Sequence, residues 1–463
     1  MQINDMEIEE LTAEEKREYR RQRRIRNQRI AIISLIVSIL VLAAVVVGGV
    51  FLINNRMEMK KQQQEIEEQL AQMEDIAAEE TVGETQAGST EETAGEEGEQ
   101  SADEPTMQEQ YTEEEVLDDV VEAIISEMTL EEKVAGLFVV TPEAITGVKT
   151  ATQAGDGTKK ALEKYPVGGL VYFAKNIQSE EQIMKMVETS VSYCKYPMFI
   201  AVDEEGGKVS RLAEKLKVEN VGDMADIGST GDTAKAYEAM KTIGTYMSGY
   251  GFNLNFAPVA DVLTNEKNTS IGERAFSSDA NVVSGMVTSA MNGLEELGVT
   301  ACVKHFPGVG SASEDTHNGL AVVDKSLEEL KQTELVPFIS AIENGANMIM
   351  VGHISLPQVV GDNTPATMSK EVISDLLRSE LGFNGVVITD AMNMGAITEY
   401  YASDEAAIRA LKAGADMVLM PEDFETAYKG VIDAVKDGTI SEDRINDSLK
   451  RVYRIKYADS VGE

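Results

Sequence analysis

The sequence predicts a parallel (β/α)8 barrel of the TIM type. Eight short apolar runs read as buried strands, and most are separated by 20 to 50 residues with helical patterns such as 179–194. Strands that are apolar on both faces and alternate with helices are typical of a parallel barrel. An open doubly wound sheet is the main alternative, although no GxGxxG follows the first run. The runs are GLFVVT (136–141), GGLVYF (168–173), MFIAVD (198–203), LNFAPVAD (254–261), ACVKH (301–305), MIMVGH (348–353), VVITD (386–390) and DMVLMP (416–421).

The first 53 residues predict a membrane anchor. Residues 1–29 form a basic tail with eight Lys or Arg between positions 16 and 29. Residues 30–53 carry no charge over 24 positions, enough for one helix to cross the ~30 Å hydrocarbon core. By the positive-inside rule the tail is cytoplasmic, so we expect a single-pass protein of the cell membrane with its remaining domains outside the cell.

Two segments separate this anchor from the globular part. Residues 54–79 place apolar side chains at heptad-like spacing, which leaves open a solvated helix or a short coiled coil that forms a weak dimer. Residues 80–115 are rich in Glu, Gly, Ser and Thr, and this composition predicts a disordered linker. The barrel is expected over residues 116–463, where Thr129 and Glu132 form a capping box.

The charge and the metal-binding residue types exclude several functions. The net charge is −39, and no Lys or Arg lies between Gln62 and Glu132, which argues against a nucleic-acid partner. Three His and two Cys with no zinc-type spacing predict neither a metal site nor a cofactor. The chain has no Trp, and a scarcity of aromatic stacking platforms favours a small pocket over a long polysaccharide groove.

Five of the apolar runs end in titratable side chains. In a barrel the carboxyl ends of the strands surround the active site, so these side chains would share one mouth. Each of them alone could be a helix cap or a structural ion pair, but five such positions together indicate an active site. They are Asp203, Asp261, Lys304 with His305, His353 and Asp390.

Six stretches around these positions resemble the motif series of family 3 glycoside hydrolases, and most closely its bacterial β-N-acetylhexosaminidase branch. The resemblance spans about residues 125 to 457, and the motifs stand in the family's order. The stretches are DEEGGKVSRL (203–212), GFNLNFAPVADV (251–262), IGERAFSSD (271–279), KHFPGVG (304–310), DTHNGLAVV (315–323) and VVITDAMNMGAI (386–397).

The resemblance implies retaining, exo-acting hydrolysis of a terminal β-linked N-acetylglucosamine. Asp390 would be the nucleophile that forms a glycosyl-enzyme. In this branch the acid/base is a histidine, here His317, with Asp315 as its partner. An imidazole titrates near pH 6.5, so it can donate and recover a proton at neutral pH. The implied sugar contacts are Asp203, Arg211, Arg274, Lys304 and His305.

The composition of the loop after the fifth strand predicts that this loop moves. Gly308, Gly310, Ser311 and Ser313 would let it close over a bound sugar and carry His317 inward, while His305 stays at the rigid strand end.

Three positions depart from the family pattern and leave the substrate preference open. Val309 stands where His is frequent, Glu204 where Gln is usual, and Ala391 where an acidic residue often follows the nucleophile.

Other functions remain open at this point. A β-glucosidase of the same family usually takes its acid/base from an additional domain, for which this chain leaves no room. Phosphorolysis is a further alternative, because a histidine acid/base would not repel phosphate. A glycan-binding protein without turnover is the non-enzymatic alternative, and the presence of Asp390, Asp315 and His317 argues against it.

Overall fold

Eight parallel strands form the centre of the computed structural model, which describes residues 113–312 and 320–458. Each predicted apolar run supplies one of them, so the predicted set of strands is confirmed. The strands are β1 (Phe138–Val140), β2 (Gly169–Val171), β3 (Phe199–Val202), β4 (Leu254–Asn255), β5 (Thr300–Phe306), β6 (Met348–Val351), β7 (Val386–Thr389) and β8 (Val418–Leu419).

The sheet curls into a nearly closed barrel. Its order is β7-β6-β5-β4-β3-β2-β1-β8, and every neighbouring pair is parallel. The end strands meet where Ile388 forms a parallel bridge with Met417. The Met417 N–H donates to the Val387 carbonyl at 3.1 Å, and the Thr389 N–H donates to the Met417 carbonyl at 3.1 Å. Because the two ends of the sheet are hydrogen-bonded, the open doubly wound alternative is wrong.

Helices connect the strands and cover the outside of the barrel. The predicted capping box begins the second helix: the Glu132 N–H donates to Thr129 Oγ1 at 3.2 Å, and the Thr129 N–H donates to Glu132 Oε2 at 3.1 Å. A ten-residue π-helix, Glu371–Glu380, precedes β7. The α-helices are α1 (Glu113–Glu127), α2 (Leu130–Ala135), α3 (Pro142–Thr146), α4 (Asp156–Lys164), α5 (Glu180–Ser192), α6 (Arg211–Lys215), α7 (Met224–Ser229), α8 (Thr233–Gly249), α9 (Ala280–Glu295), α10 (Leu327–Gln332), α11 (Val336–Glu343), α12 (Pro357–Val360), α13 (Gly395–Thr398), α14 (Ser403–Ala413), α15 (Phe424–Lys436) and α16 (Glu442–Tyr457).

The core has an inner and an outer layer because side chains alternate along each strand. In β3, Phe199 and Ala201 belong to the cluster inside the barrel, whereas Ile200 and Val202 belong to the cluster that includes the helices. This two-sided burial explains why the strands read as continuous apolar runs.

The amino ends of the strands are covered by α16, whose Val452 and Ile455 pack in the inner cluster. Arg454 on this helix forms an ion pair with Glu114 of α1 at 2.6 Å. A cavity of 380 Å³ remains at this end, between the first residues of β3 and β5, Leu117 of α1 and Lys456. Helix α1 therefore joins the barrel at its amino end.

Several predicted segments fall outside the described residues. They are the basic tail (1–29), the anchor (30–53), the stalk (54–79) and all but the last three positions of the linker (80–115). Helix α1 begins at Glu113, three residues before the expected boundary at 116. Among residues 113–312 and 320–458, no helix combines the length and apolarity needed to span a bilayer.

We expect Lys456 to make the free energy of unfolding depend on pH. Its ammonium donates to the Gly168 carbonyl at 2.7 Å and lies 4.7 Å from the Phe199 ring centroid. Burial lowers the pKa of this group to about 7, whereas a lysine in an unfolded chain titrates near ~10.4. Between these values the unfolded chain binds more protons, so the free energy of unfolding should rise with pH by at most ~1.4 kcal/mol per unit. Urea denaturation at pH 7, 8 and 9 should show a smaller slope for Lys456→Met than for the wild type. Equal slopes would contradict the assignment.

Candidate active site

A cleft of 510 Å³ opens at the carboxyl ends of the barrel strands. Strands β2 to β8 or the residues just after them all contribute to its wall, as a barrel active site requires. Six residues predicted to act in catalysis or sugar binding line this one cleft: Asp203, Arg211, Arg274, Lys304, His305 and Asp390.

A network of four charged side chains, of which Lys304 and Glu205 are buried, forms one wall of the cleft. The Lys304 ammonium donates to Asp203 Oδ1 at 2.8 Å and pairs with Glu205 Oε1 at 2.6 Å. Arg274 Nε donates to Glu205 Oε2 at 2.7 Å, and its Nη2 donates to Oε1 at 2.8 Å. Two cations thus face two carboxylates. Burial alone would raise the pKa of Glu205, but Lys304 and Arg274 reverse the effect and hold that pKa well below its usual range.

Glu204 and Glu205 are adjacent but face opposite ways. Glu204 lies outside the cleft, where its carboxylate accepts the N–H groups of Leu212 and Ala213 at 2.7 and 3.0 Å and the Tyr246 hydroxyl at 2.9 Å. The two N–H groups belong to the first turn of α6, so Glu204 caps this helix. Burial raises the pKa of Glu204. Glu204, which stands where the family usually has Gln, therefore does not line the cleft.

Asp261 connects the end of β5 with the loop that follows it. Its Oδ2 lies 2.8 Å from His305 Nδ1, and its Oδ1 accepts the Val309 N–H at 2.7 Å. A proton on Nδ1 satisfies this contact and leaves Nε2 for a ligand in the cleft. Asp261 is fully buried, so its carboxylate fixes both the ring of His305 and the start of the loop.

His353 supports the backbone beside Asp390. Its Nδ1 lies 2.9 Å from Thr367 Oγ1, and its Nε2 lies 3.0 Å from the Ala391 carbonyl. The ring thereby fixes the residue that follows the predicted nucleophile.

Asp390 stands at the end of β7 with its carboxylate towards the cleft. Its backbone N–H donates to the Val351 carbonyl at 2.8 Å, and its Oδ1 accepts the Ala391 N–H at 2.7 Å. Burial would raise the pKa of this carboxyl group, but the charges of His305 and His353 and the Ala391 N–H lower it overall. The side chain therefore stays ionised, as a carboxylate nucleophile must.

Arg211 reaches the cleft from the first turn of α6. Its Nε is buried and has no hydrogen-bond partner within the described part of the chain. A buried donor without a partner is costly, so this guanidinium is suited to a polar ligand.

The predicted acid/base pair, Asp315 and His317, lies outside the described residues, as does Ser313. The start of their loop is firmly packed. The Val309 carbonyl accepts Asn268 Nδ2 at 2.7 Å, and the Ala312 carbonyl accepts Asn265 Nδ2 at 3.1 Å.

Gly308 and Gly310, predicted to let the loop move, also have a steric role in the structure. A Cβ on Gly308, where φ is +118°, would stand 2.8 Å from Glu334 Cβ. A Cβ on Gly310 would stand 2.0 Å from the Val262 carbonyl oxygen. Both residues are glycine because the backbone approaches its neighbours closely there.

Gly310→Ala should destabilise the protein by about 1 to 3 kcal/mol, because the added methyl group meets a backbone carbonyl that cannot turn aside. Activity should fall as well, since the shift displaces the segment bound to Asp261. Gly157→Ala is the matched control. A Cβ there meets nothing within 4 Å, and alanine in helix α4 should be neutral or stabilising. Urea denaturation of both variants provides the comparison, and equal midpoints would contradict this explanation.

Sequence reasoning missed several residues of the cleft wall. Lys208 and Asn393 bring polar groups, and Phe173 brings an apolar face. Glu205, which pairs with both Lys304 and Arg274, was not among the predicted sugar contacts. The alternation of side chains after β3 could have placed Glu205 on the same face as Asp203.

This arrangement suits covalent catalysis on a small, hydroxyl-rich substrate. It combines an ionised carboxylate at the centre of the cleft with cationic and imidazole hydrogen-bond donors around it. Within the described ranges, no group of three His, Cys, Asp or Glu side chains could hold a metal ion. The fold and the site define a barrel enzyme with carboxylates and imidazoles in its cleft.

Comparison with known proteins identifies the family. Residues 129–455 match the model described as glycosyl hydrolase family 3 N terminal domain. The chain belongs to this family, and the resemblance found in the sequence motifs is confirmed.

Similar proteins include two curated bacterial relatives. Beta-hexosaminidase A of Pseudoalteromonas piscicida is 33% identical over 326 residues, which cover 64% of this chain and 54% of that protein. Beta-hexosaminidase of Idiomarina loihiensis is 34% identical over 301 residues, covering 64% of this chain and 87% of the relative. The chain thus spans about half the length of the first relative.

A solved structure shares the fold closely. The glycoside hydrolase family 3 beta-N-acetylglucosaminidase from Paenibacillus sp. str. FPU-7 is 37% identical, with a TM-score of 0.68. The match covers 73% of this chain and 64% of that one.

Proposed function

We propose that this protein is an exo-acting, retaining β-N-acetylhexosaminidase that releases terminal β-linked N-acetylglucosamine. The observation that carries the proposal is the position of Asp390 at the end of β7, in a cleft that also contains Lys304 and Arg274, in a chain of this family. The printed names of the similar proteins, beta-hexosaminidase and beta-N-acetylglucosaminidase, support the same sugar.

The proposed reaction has two displacements. The Asp390 carboxylate attacks C1 of the sugar while the bond from C1 to the leaving oxygen breaks, and the His317 imidazolium protonates that oxygen. A glycosyl ester on Asp390 results. Water then attacks C1, the His317 imidazole takes the proton from this water, and the ester bond breaks to release the free sugar with its β-configuration. Asp315 would orient His317 and stabilise its charged form.

The remaining cleft groups would hold the sugar. Asp203 would accept hydrogen bonds from hydroxyls, and His305 Nε2 would bind a hydroxyl. Arg211, Arg274 and Lys304 would donate hydrogen bonds to hydroxyls or to the acetamido group. Lys304 has three N–H donors, of which two are directed at Asp203 and Glu205. One N–H is thus left for a ligand.

Hydrolysis of p-nitrophenyl N-acetyl-β-glucosaminide tests this proposal. We expect turnover well above that of p-nitrophenyl β-glucoside, no dependence on phosphate, and β-N-acetylglucosamine as the first anomer seen by NMR. Preference for the glucoside would support the β-glucosidase alternative, and phosphate-dependent turnover with a sugar phosphate product would support the phosphorylase alternative. Binding of N-acetylglucosamine without any turnover would indicate a glycan-binding protein.

We further propose that residues 30–53 anchor the protein in the cell membrane with the barrel outside the cell, where cell-wall fragments would be substrates. The charge-free segment and the basic residues before it support this topology. Membrane fractionation of the full chain and of a variant lacking residues 1–53, followed by protease treatment of intact cells, tests it. Recovery of the full chain in the soluble fraction would contradict it, as would a barrel protected from external protease.

A further inference from the structure

The cleft contains a carboxylate that has no role in the proposed reaction. Glu205 is 1% exposed and uses both oxygens on cations, Oε1 on Lys304 and Arg274 and Oε2 on Arg274. Both cations line the cleft. In the proposed function these cations touch the sugar, so Glu205 stands directly behind two substrate contacts.

Lys304 and Arg274 need such a support to bind a sugar well. Each has a long side chain that loses much rotamer entropy when it is ordered. A ligand that had to order both side chains would bind more weakly as a result. The pairs with Glu205 order them before the substrate arrives.

The pairs leave donors for the ligand. Arg274 Nε and Nη2 donate to Glu205, and Nη1 donates to the Ser270 carbonyl at 3.0 Å. A guanidinium has five N–H groups, so two remain, and one remains on Lys304.

The backbone that carries Glu205 is itself fixed. The Glu204 N–H donates to Asn255 Oδ1 at 3.0 Å, and Asn255 Nδ2 donates to the Glu204 carbonyl at 2.8 Å. On the other side, Gly206 has φ of +104°, and a Cβ there would stand 2.8 Å from the Gly222 carbonyl oxygen. Glu205 thus projects from a segment clamped on both sides.

We infer that Glu205 is a positioning residue, whose buried carboxylate holds Lys304 and Arg274 so that their remaining N–H groups are aimed at the bound sugar. This role rests on the proposed function and adds a determinant of substrate affinity to it. The contacts act on the sugar before and during the reaction, so their loss should raise KM more than it lowers kcat.

Glu205→Gln tests the inference, with Glu204→Gln as the matched control. The two residues are neighbours, both are buried carboxylates, and both accept several hydrogen bonds, but only Glu205 lies on the cleft wall. In Glu205→Gln the amide oxygen can accept from one cation, while the amide N–H groups repel the other. We expect KM for p-nitrophenyl N-acetyl-β-glucosaminide to rise at least tenfold, with kcat reduced less than threefold. The KM of Glu204→Gln should stay within twofold of the wild-type KM, even if its Tm falls as much as the Tm of Glu205→Gln.

Calorimetric titration with N-acetylglucosamine separates this inference from the proposed function, because it measures binding without turnover. Weaker binding by Glu205→Gln than by Glu204→Gln supports the positioning role. This result counts even if the wild-type protein does not hydrolyse the substrate. Equal binding by the two variants overturns it. If Glu205→Gln does not fold, Glu205→Asp, which keeps the charge but shortens the reach, replaces it under the same criteria, with the expected loss of affinity at least threefold.

Discussion

Asp390→Asn should reduce kcat for p-nitrophenyl N-acetyl-β-glucosaminide on the order of 10⁴-fold, because an amide cannot form the glycosyl ester. The fold should persist. Asparagine has the shape of aspartate, its Oδ1 can still accept the Ala391 N–H, and a neutral group costs less to bury than a charged one. Asp433→Asn, on the exposed face of α15, is the matched control and should keep full activity.

Mass spectrometry makes the same test independent of rate. A fluorinated N-acetylglucosamine derivative with a good leaving group, which slows the second displacement, should add one sugar mass to the wild type. The peptide that contains Asp390 should carry that mass, and Asp390→Asn should remain unlabelled. An Asp390→Asn protein that retained more than a tenth of wild-type kcat, or a label on a different carboxylate, would remove Asp390 from the role of nucleophile.

His317→Ala should have the second-largest effect, and the effect should depend on the leaving group. General acid catalysis contributes ~10² to 10⁴-fold when the leaving oxygen is strongly basic. A β-linked disaccharide of N-acetylglucosamine has such an oxygen, whereas p-nitrophenolate leaves without a proton. The fall in kcat/KM should therefore be at least tenfold larger for the disaccharide.

The pH profile provides the second measurement for His317. In the wild type, kcat/KM for the disaccharide should fall at alkaline pH as the imidazolium loses its proton, and this limb should be absent in His317→Ala. The lowered pKa of Asp390 means that the nucleophile remains ionised towards acid pH, so Asp390 does not contribute to the alkaline limb. Equal losses on both substrates, with an unchanged profile, would mean that another group transfers the proton.

Most of the barrel could be predicted because its signal is local. A strand covered on both faces must be apolar throughout, and a polar residue that follows it, such as Asp203 or Asp390, must lie at the strand end. The strand pattern alone could not exclude an open sheet, because closure depends on contacts such as Ile388 with Met417, which no local pattern encodes.

The site was predicted in part for a similar reason. Strand ends and motif order identify which residues meet, but they do not tell which way two neighbouring carboxylates face. Glu204 faces the first turn of α6, whereas Glu205 faces Lys304. These two partners are distant from one another in sequence. Likewise, no local pattern shows that Glu334 and Val262 leave no room for a side chain at Gly308 and Gly310.

The contact between α1 and α16 has a consequence for access to the cleft. Leu117 borders the cavity at the amino ends of the strands. Helix α1 therefore packs at one end of the barrel, and the cleft opens at the other end. A tether attached to the start of helix α1 would therefore act on the barrel at the end opposite the cleft.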